Sequence, residues 1–570
     1  MKSIGTISAV LMTALIFSSS RAQYVPTSPY LLNPELAIGY TDSCAQFWLQ
    51  TWDQQSGGFF SNIDKYGNVI TSWGTNKNML TQSRNAYGLA RAYMLTGNTT
   101  YLDYARNTLD WMYEHAWDDT YGGWFQDLNA NGDPTNRYGD KTAFYQHYAL
   151  LGIVAYYDAT RDTTAWQWLM RGYEHLEEYY WDDRSAYLGY YDRNIYNNQY
   201  PRHKSFNATV DAITTHLLYL YLLTEDEVYQ LKLRELAEEM KQHLVASMPQ
   251  QAIGFVELFD SEWHWNESET MTIMGHVLKA AWCLGRIQQL FPDTSYVEAS
   301  ETLIADVWQN GYDHDYGGPY KDYDRVTGQM LLWGLGEPAK EWWQMEQAIV
   351  AGLELYDITQ ESWYLQMADE TISFYTRYFV DHENGEVYAD RTRTGGFAWN
   401  EAKGSSGKAG YHSIETGYYT YLYGNLFYTY QPVTLHYNFE ALQFDRELVL
   451  TPLAIEDNRL GVSEVLHEGQ TYAQYDPASR VLTLPAGTGG HFEITFEPES
   501  TQAGIRGDVN NDRTVNILDA LRAIHIILNV GDPPSQHETW ASDCNNDGSI
   551  NIVDALGIVN VILGLSACEP

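Results

Sequence analysis

From about residue 36 to 430, apolar positions recur three and four apart in long stretches free of proline, the period of helices that bury one face. The stretch Thr272–Arg286 is representative: Val277, Leu278, Ala281 and Leu284 form one stripe, while His276, Lys279, Ala280 and Cys283 form a second. The second stripe sets an imidazole and an ammonium one turn apart among small residues. A solvent face would be more densely charged and a core face would carry neither group, so this stripe reads as the wall of a polar cavity. A single helical histidine is most often structural, so the chemistry must rest on the remainder of the chain.

Between the helices lie connectors built from Gly, Asp and aromatic residues: Ser56–Phe60, Tyr121–Phe125, Ala186–Tyr191, Tyr316–Tyr320 and Asn384–Tyr388. Their glycines permit positive φ and the flanking aromatics suit a short hairpin. They return about every 60 to 70 residues with roughly two helices between them. A two-helix unit cannot bury its own apolar face, so neighbours must stack. About six such units over residues 36–430 predict an all-α domain closed as an (α/α)6 barrel; an open α-solenoid is the alternative.

Near residue 431 the period changes to two. Val433–Phe439, Glu447–Thr451, Val481–Leu484 and Phe492–Phe496 alternate apolar and polar residues between Gly-, Asp- and Pro-rich turns. Residues 431–498 therefore predict a small β-sandwich-like module, read as a brace for the barrel rather than a site. A short linker over 499–505 follows.

Two similar segments close the chain. Asp508, Asn510, Asp512, Thr514, Asn516 and Asp519 fall at positions 1, 3, 5, 7, 9 and 12 of one loop, and Asp543, Asn545, Asp547, Ser549, Asn551 and Asp554 repeat the pattern. Oxygen donors so spaced suit Ca²⁺ in an EF-hand-like loop. Residues 505–570 resemble a dockerin, an adaptor that implies a cohesin-bearing scaffold protein as partner. Arg513 replaces the glycine expected at the sixth position of the first loop, and Ile517-Leu518 and Ile552-Val553 stand where many dockerins carry small hydroxyl residues.

Composition narrows the function. The net charge of −40, with few basic clusters, argues against nucleic acid and anionic membranes as partners. Aromatic residues make up 15%, with 46 Tyr and 19 Trp, and point to carbohydrate, whose C–H faces stack on rings. Residues 1–22 read as a secretory signal peptide: Lys2, an apolar run from Ile4 to Phe17 and a Ser20-Arg21-Ala22 cleavage site. An exported protein is expected. Cys544 and Cys568 bracket the last module and are placed to clasp it, while Cys44 and Cys283 read as buried thiols.

The barrel also carries a resemblance. Met274-Gly-His-Val-Leu-Lys-Ala-Ala-Trp282 is similar to the Gly-His-x-x-Glu-x-x-Trp motif of the N-acylglucosamine 2-epimerase family, which includes cellobiose 2-epimerases and aldose–ketose isomerases. Arg84 and Tyr87 resemble its Arg-x-x-Tyr helix, Trp342–Glu346 its Trp-x-Gln-x-Glu segment, and Lys408–His412 its Lys-x-x-Tyr-His. The resemblance implies an (α/α)6 barrel that needs no catalytic cofactor. It implies His276 and His412 as acid and base, Arg84 as stabiliser of an enediolate oxygen, and Trp342 or Trp343 stacking on a sugar. Glu346 would hold hydroxyls or orient His412. Tyr87, Tyr411, Lys279, Asp211 and His216 complete the expected substrate-facing set.

The sequence departs from that pattern at three positions. Lys279 stands where the family has Glu, Asp211 lies near the place of its middle His with His216 a turn later, and Glu415 stands where relatives tend to have Arg. Two other readings therefore stay open. One is a glycoside hydrolase or polysaccharide lyase using carboxylates such as Asp119, Asp127, Glu257, Asp260, Glu262 and Asp315. The other is a non-catalytic carbohydrate-binding component. Hydrolysis wants two facing carboxylates; epimerisation wants two groups that titrate near neutrality.

Overall fold

The computed structural model describes residues 24–266, 268–331, 335–452, 459–498, 506–510, 515–531, 534 and 536–568. The expected signal peptide, the linker over 499–505, Asp512, Arg513 and Thr514 lie outside them.

Six inner helices begin at Met79, Ala143, Phe206, Met274, Trp342 and Gly410, and six outer ones begin at Leu36, Thr99, Thr163, Glu227, Thr294 and Ser362. Inner and outer helices alternate along the chain, which is the (α/α)6 arrangement. Burial separates the two rings. Met79–Thr96 is buried at every position from Met79 to Leu95, whereas the outer helix Thr99–His115 buries one face through Tyr101, Leu102, Ala105, Leu109 and Met112. Inner helices touch neighbours on both sides and are buried all round, with the polar Gln82, Arg84, Asn85 and Arg91 included. Where two of them cross, Gly88 has the Gly410 carbonyl 2.2 Å from where a Cβ would stand, so glycine is required.

The connectors form hairpins closed by the pairs Trp52–Phe59, Trp117–Trp124, Tyr312–Pro319 and Val380–Val387, and by the strands Trp181–Asp182 and Gly189–Tyr190. Each is locked by a buried lysine from the segment leading to the next inner helix. Lys77 Nζ reaches Asp53 and the Gly57 carbonyl, both at 2.6 Å. Lys141 reaches Asp118 at 2.7 Å and the Gly122 carbonyl at 2.6 Å. Lys204 does the same with Asp182 and Gly189, Lys340 with Asp313 and Gly317, and Lys403 with Asp381 and Gly385. The unit leading into the His276 helix has no such lysine among the described residues; there Gly254 N donates to Asp306 at 2.6 Å.

Four inner helices follow directly on short strands, Lys141–Thr142, Lys204–Ser205, Met271–Ile273 and Ala339–Glu341. These pair with strands from neighbouring connectors. The ribbons fix the helix N-termini at one end of the barrel, and the polar residues gather there.

After the barrel come two antiparallel sheets. One has the order Val433–Phe439, Gly490–Pro498, Leu460–His467, Gln470–Thr471; the other Arg446–Val449, Val481–Leu484, Tyr475–Asp476. Val433, Leu435, Tyr437 and Phe439 are buried and alternate with half-buried residues. The module is bonded to the barrel: Glu440 N to the Thr160 carbonyl at 2.8 Å, and Arg459 to Asp357 at 2.7 and 2.8 Å.

The last module contains the helices Ile517–Ile527, Gln536–Ser542 and Ile552–Ile562, with Cys544 and Cys568 joined in a disulfide. Cys44 and Cys283 are free and buried. Among the described residues no helix is long and apolar enough to cross a membrane.

Candidate active site

All six inner helices send polar side chains inward near their N-terminal ends. His276 is the third residue of its helix, His412 the third of its own, and Trp343 the second. The Trp343 ring lies 5.3 Å from His276 and 5.9 Å from His412, centroid to centroid, so the indole bridges the two imidazoles. Gly275 makes this possible: a Cβ there would meet Trp343 Cζ3 at 2.6 Å.

Each imidazole has a carboxylate at Nδ1. His276 Nδ1 lies 2.8 Å from Glu257 Oε2 and its ring stacks on Phe206 at 4.0 Å. His412 Nδ1 lies 3.1 Å from Glu346 Oε2 and its ring packs on Tyr411 at 4.0 Å. A carboxylate at Nδ1 fixes the tautomer and leaves Nε2 for chemistry. Burial, aided by Arg84, Lys279 and Lys408, holds His412 well below the usual histidine pKa.

Below His412 sit two more buried carboxyls. Tyr87 donates to Glu415 at 2.6 Å, and Glu346, His412 and Glu415 each offer a ligand atom within 4.8 Å of the others. Burial and then the Glu415 charge push the Glu346 carboxyl well above its usual value, and burial raises Glu415 too. Two carboxyls so close in a dry site cannot both ionise freely. Gln347 also donates to Glu346. Glu346 is thus a support beneath His412, fully buried, and not a hydroxyl-binding residue of the cavity surface.

Lys279 Nζ lies 2.6 Å from Asp211 Oδ1 and 3.2 Å from the Tyr148 hydroxyl. Burial works against this ammonium, but the Asp211 carboxylate outweighs it and raises its pKa. Asn207 holds the other Asp211 oxygen at 2.9 Å. The Arg84 guanidinium lies over the rings of Tyr148 and Tyr411, at 4.7 and 5.5 Å, and donates to the Gly407 carbonyl; its Nε is buried without a partner. Trp342 is buried beside His412 at 6.3 Å, with Lys408 over its ring at 5.5 Å, which leaves Trp343 as the indole at the cavity surface.

Two expectations are corrected. His216 does not join the substrate-facing set: it is fully buried, stacks on His147 at 5.3 Å and bonds Thr215 at 3.0 Å. It occupies a π-turn of its helix, which shifts its side chain away from the helical phase assumed from spacing. The carboxylates put forward for hydrolysis do not converge. The Asp119, Asp315 and Asp260 side chains are 90%, 74% and 53% exposed on connectors, bound to Arg171, Arg393 and His264. Glu257 alone reaches the imidazole pair. Sequence reasoning missed Tyr148 and Phe206, whose signal, an aromatic at the start of an inner helix, is shared with many core residues.

In the C-terminal module the described parts of the two loops match. Asn510 N and Asn545 N donate to Asp519 and Asp554 at 2.9 and 3.1 Å, and Asn516 and Asn551 donate to the same two carboxylates at 2.9 Å. Gly548, sixth in the second loop, has φ +82°. Asp508, Asp519, Asp543 and Asp554 are all buried. Ile517, Leu518 and Leu521 are exposed on one helix, and Ile552, Val553 and Leu556 repeat that patch on the other.

Two concentric rings of six helices with a pair of imidazoles at one end define an (α/α)6 barrel. The N-acylglucosamine 2-epimerase family model matches residues 58–416 and the type I dockerin model residues 506–563. The chain belongs to the N-acylglucosamine 2-epimerase family, is an isomerase of the carbohydrate epimerase kind, and ends in a type I dockerin domain. It is 21% identical over 395 residues to a cellobiose 2-epimerase of Bacteroides fragilis, covering 67% of this chain and 97% of that one. The cellobiose 2-epimerase structure from Spirochaeta thermophila superposes with TM-score 0.61 at 20% identity, covering 70% of this chain and 98% of that one. A D-mannose isomerase structure gives TM-score 0.61 at 18% identity, covering 70% and 99%.

Proposed function

We propose that the barrel interconverts free sugars or oligosaccharide reducing ends at C2, by epimerisation or aldose–ketose isomerisation through an enediolate. The observation that carries this reading is the pair His276 and His412 on either side of Trp343, each with a carboxylate at Nδ1. A sugar lying on Trp343 has both imidazoles beside it. His412, held neutral by its burial, accepts the C2 proton at Nε2, and His276 returns a proton to the opposite face or to C1. Arg84 stabilises the oxygen on which charge grows. Protons are only moved, so the chemistry is balanced without an oxidant.

The dockerin loops are suited to Ca²⁺. Asp508, Asn510, Asp512, Thr514, Asn516 and Asp519 in one loop, and Asp543, Asn545, Asp547, Ser549, Asn551 and Asp554 in the other, make two oxygen-only sets. Calcium would supply folding energy there and no catalysis. The duplicated patches Ile517-Leu518-Leu521 and Ile552-Val553-Leu556 are the surface offered to a cohesin on an extracellular scaffold. Export agrees with the Cys544–Cys568 disulfide.

The test is incubation of the full chain with cellobiose, mannose and glucose in D₂O, following the C2 proton by NMR. Exchange at C2 with appearance of an epimer or ketose is expected. New reducing ends from a polysaccharide, without exchange, would overturn the proposal.

A further inference from the structure

A second histidine cluster lies outside the barrel cavity, on the β module. The strands Val433–Phe439 and Gly490–Pro498 pair antiparallel with His436 opposite Glu493 and Asn438 opposite His491. Side chains alternate along a strand, so His436, His491 and Glu493 share one face. His436 Nδ1 lies 3.1 Å from His491 Nε2, the rings are within 12° of parallel at 5.3 Å, and the three residues offer ligand atoms within 4.8 Å of one another.

Gly97, the left-handed residue ending the helix Met79–Thr96, faces His436; a Cβ there would stand 3.0 Å from Nδ1 and 3.2 Å from Cε1. One turn earlier, the Tyr93 hydroxyl is fully buried and has no hydrogen-bond partner among the described residues. Burial, and after it the charges of Glu468 and Glu493, raise its pKa, so both carboxylates act on this pocket. Glu468 also accepts from His491 N at 2.9 Å.

We propose that His436, His491 and Glu493 bind a divalent transition-metal ion of the zinc class at the seam between the β module and the helix Met79–Thr96. Two imidazole nitrogens and a carboxylate oxygen are a zinc donor set, and three protein ligands leave a fourth position for water. Two Zn–N bonds of about 2.0 Å at the tetrahedral angle set the nitrogens about 3.3 Å apart, close to the separation here. Without the ion the same two nitrogens share a hydrogen bond, which metal binding would replace. The ion would cross-link two strands with no part in the sugar chemistry.

The experiment takes the full chain, saturated with Ca²⁺ and stripped of transition metals, and titrates Zn²⁺ into wild type, His491→Gln and His412→Asn by calorimetry. One Zn²⁺ per chain is expected in wild type and His412→Asn, with affinity at least about 100-fold weaker in His491→Gln and a zinc-dependent rise in Tm only where zinc binds. If His491→Gln does not fold by circular dichroism, Glu493→Gln must weaken binding instead. No zinc in wild type, equal binding by the β-module variants, or loss in His412→Asn would overturn the proposal, the last by placing the ion at Glu346, His412 and Glu415.

Discussion

The Lys279 ammonium lies 2.6 Å from the Asp211 carboxylate in a fully closed part of the barrel wall, joining the third and fourth inner helices. The family motif carries a glutamate at Lys279 and tends to an arginine at Glu415, so the charges here are exchanged in sense. Removing one partner leaves a buried charge, at a cost of about 3–5 kcal/mol. Lys279→Met should therefore lower Tm markedly, and the double variant Lys279→Met/Asp211→Asn should recover most of the loss. Equal destabilisation by both, in calorimetric melts, would show that the pair is not coupled.

His276→Asn and His412→Asn should each lower kcat by about 10²–10⁴-fold while the fold persists. Solvent deuterium incorporation at C2 should separate them. The variant lacking the abstracting base loses exchange altogether, and the other retains exchange while forming less epimer. Full activity in both would rule out the imidazole pair.

Acid should weaken the barrel through its buried histidines. Burial lowers His147 and His175 to about 4, against an unfolded value near 6.5. Between these values the unfolded chain holds the extra proton, so stability is complete above pH 6.5 and declines toward pH 4. Each contributes roughly 3 kcal/mol to that decline. Urea midpoints from pH 7 to 4 should fall less in His147→Phe than in wild type.

The hairpin lysines stabilise without touching the cavity. Lys141→Met leaves the Asp118 carboxylate buried beside Gly122, and a loss of about 3–5 kcal/mol is expected with KM nearly unchanged. An altered KM at unaltered Tm would contradict this.

Chelation of Ca²⁺ should unfold the C-terminal module while C2 exchange by the barrel continues. Two transitions should appear in calorimetry, with only the smaller one moving with Ca²⁺. Loss of exchange in chelator would couple the two modules.

Much of this was legible in the chain because burial on both sides leaves a signature. The 3.6 period, the glycine connectors and the change to period two at Val433 each follow from which faces meet water. His276 stood out through the polar stripe of its helix, whereas His412 and Trp343 came only through the motif resemblance; all three lie in the first turn of inner helices. His216 was not, since a π-turn breaks the phase on which spacing depends. Glu257 stood in plain sight but lies 19 positions from the histidine it supports, beside a strand that pairs with Lys204–Ser205 and not with the strand leading to His276. The five hairpin lysines went unread, for nothing local marks an ammonium as buried.

Those lysines also act as a datum for the cavity. Arg84, Tyr148 and Asp211 each come seven residues after Lys77, Lys141 and Lys204, two helical turns further on. The anchored ammonium thereby sets the azimuth at which each polar residue emerges. Inserting one residue between them would rotate the side chain by about 100° and turn it out of the lumen. The same interval leads from Lys340 to the buried Gln347, which bonds Trp282 and Glu346, and from Lys403 to Gly410, so the datum serves the first three units.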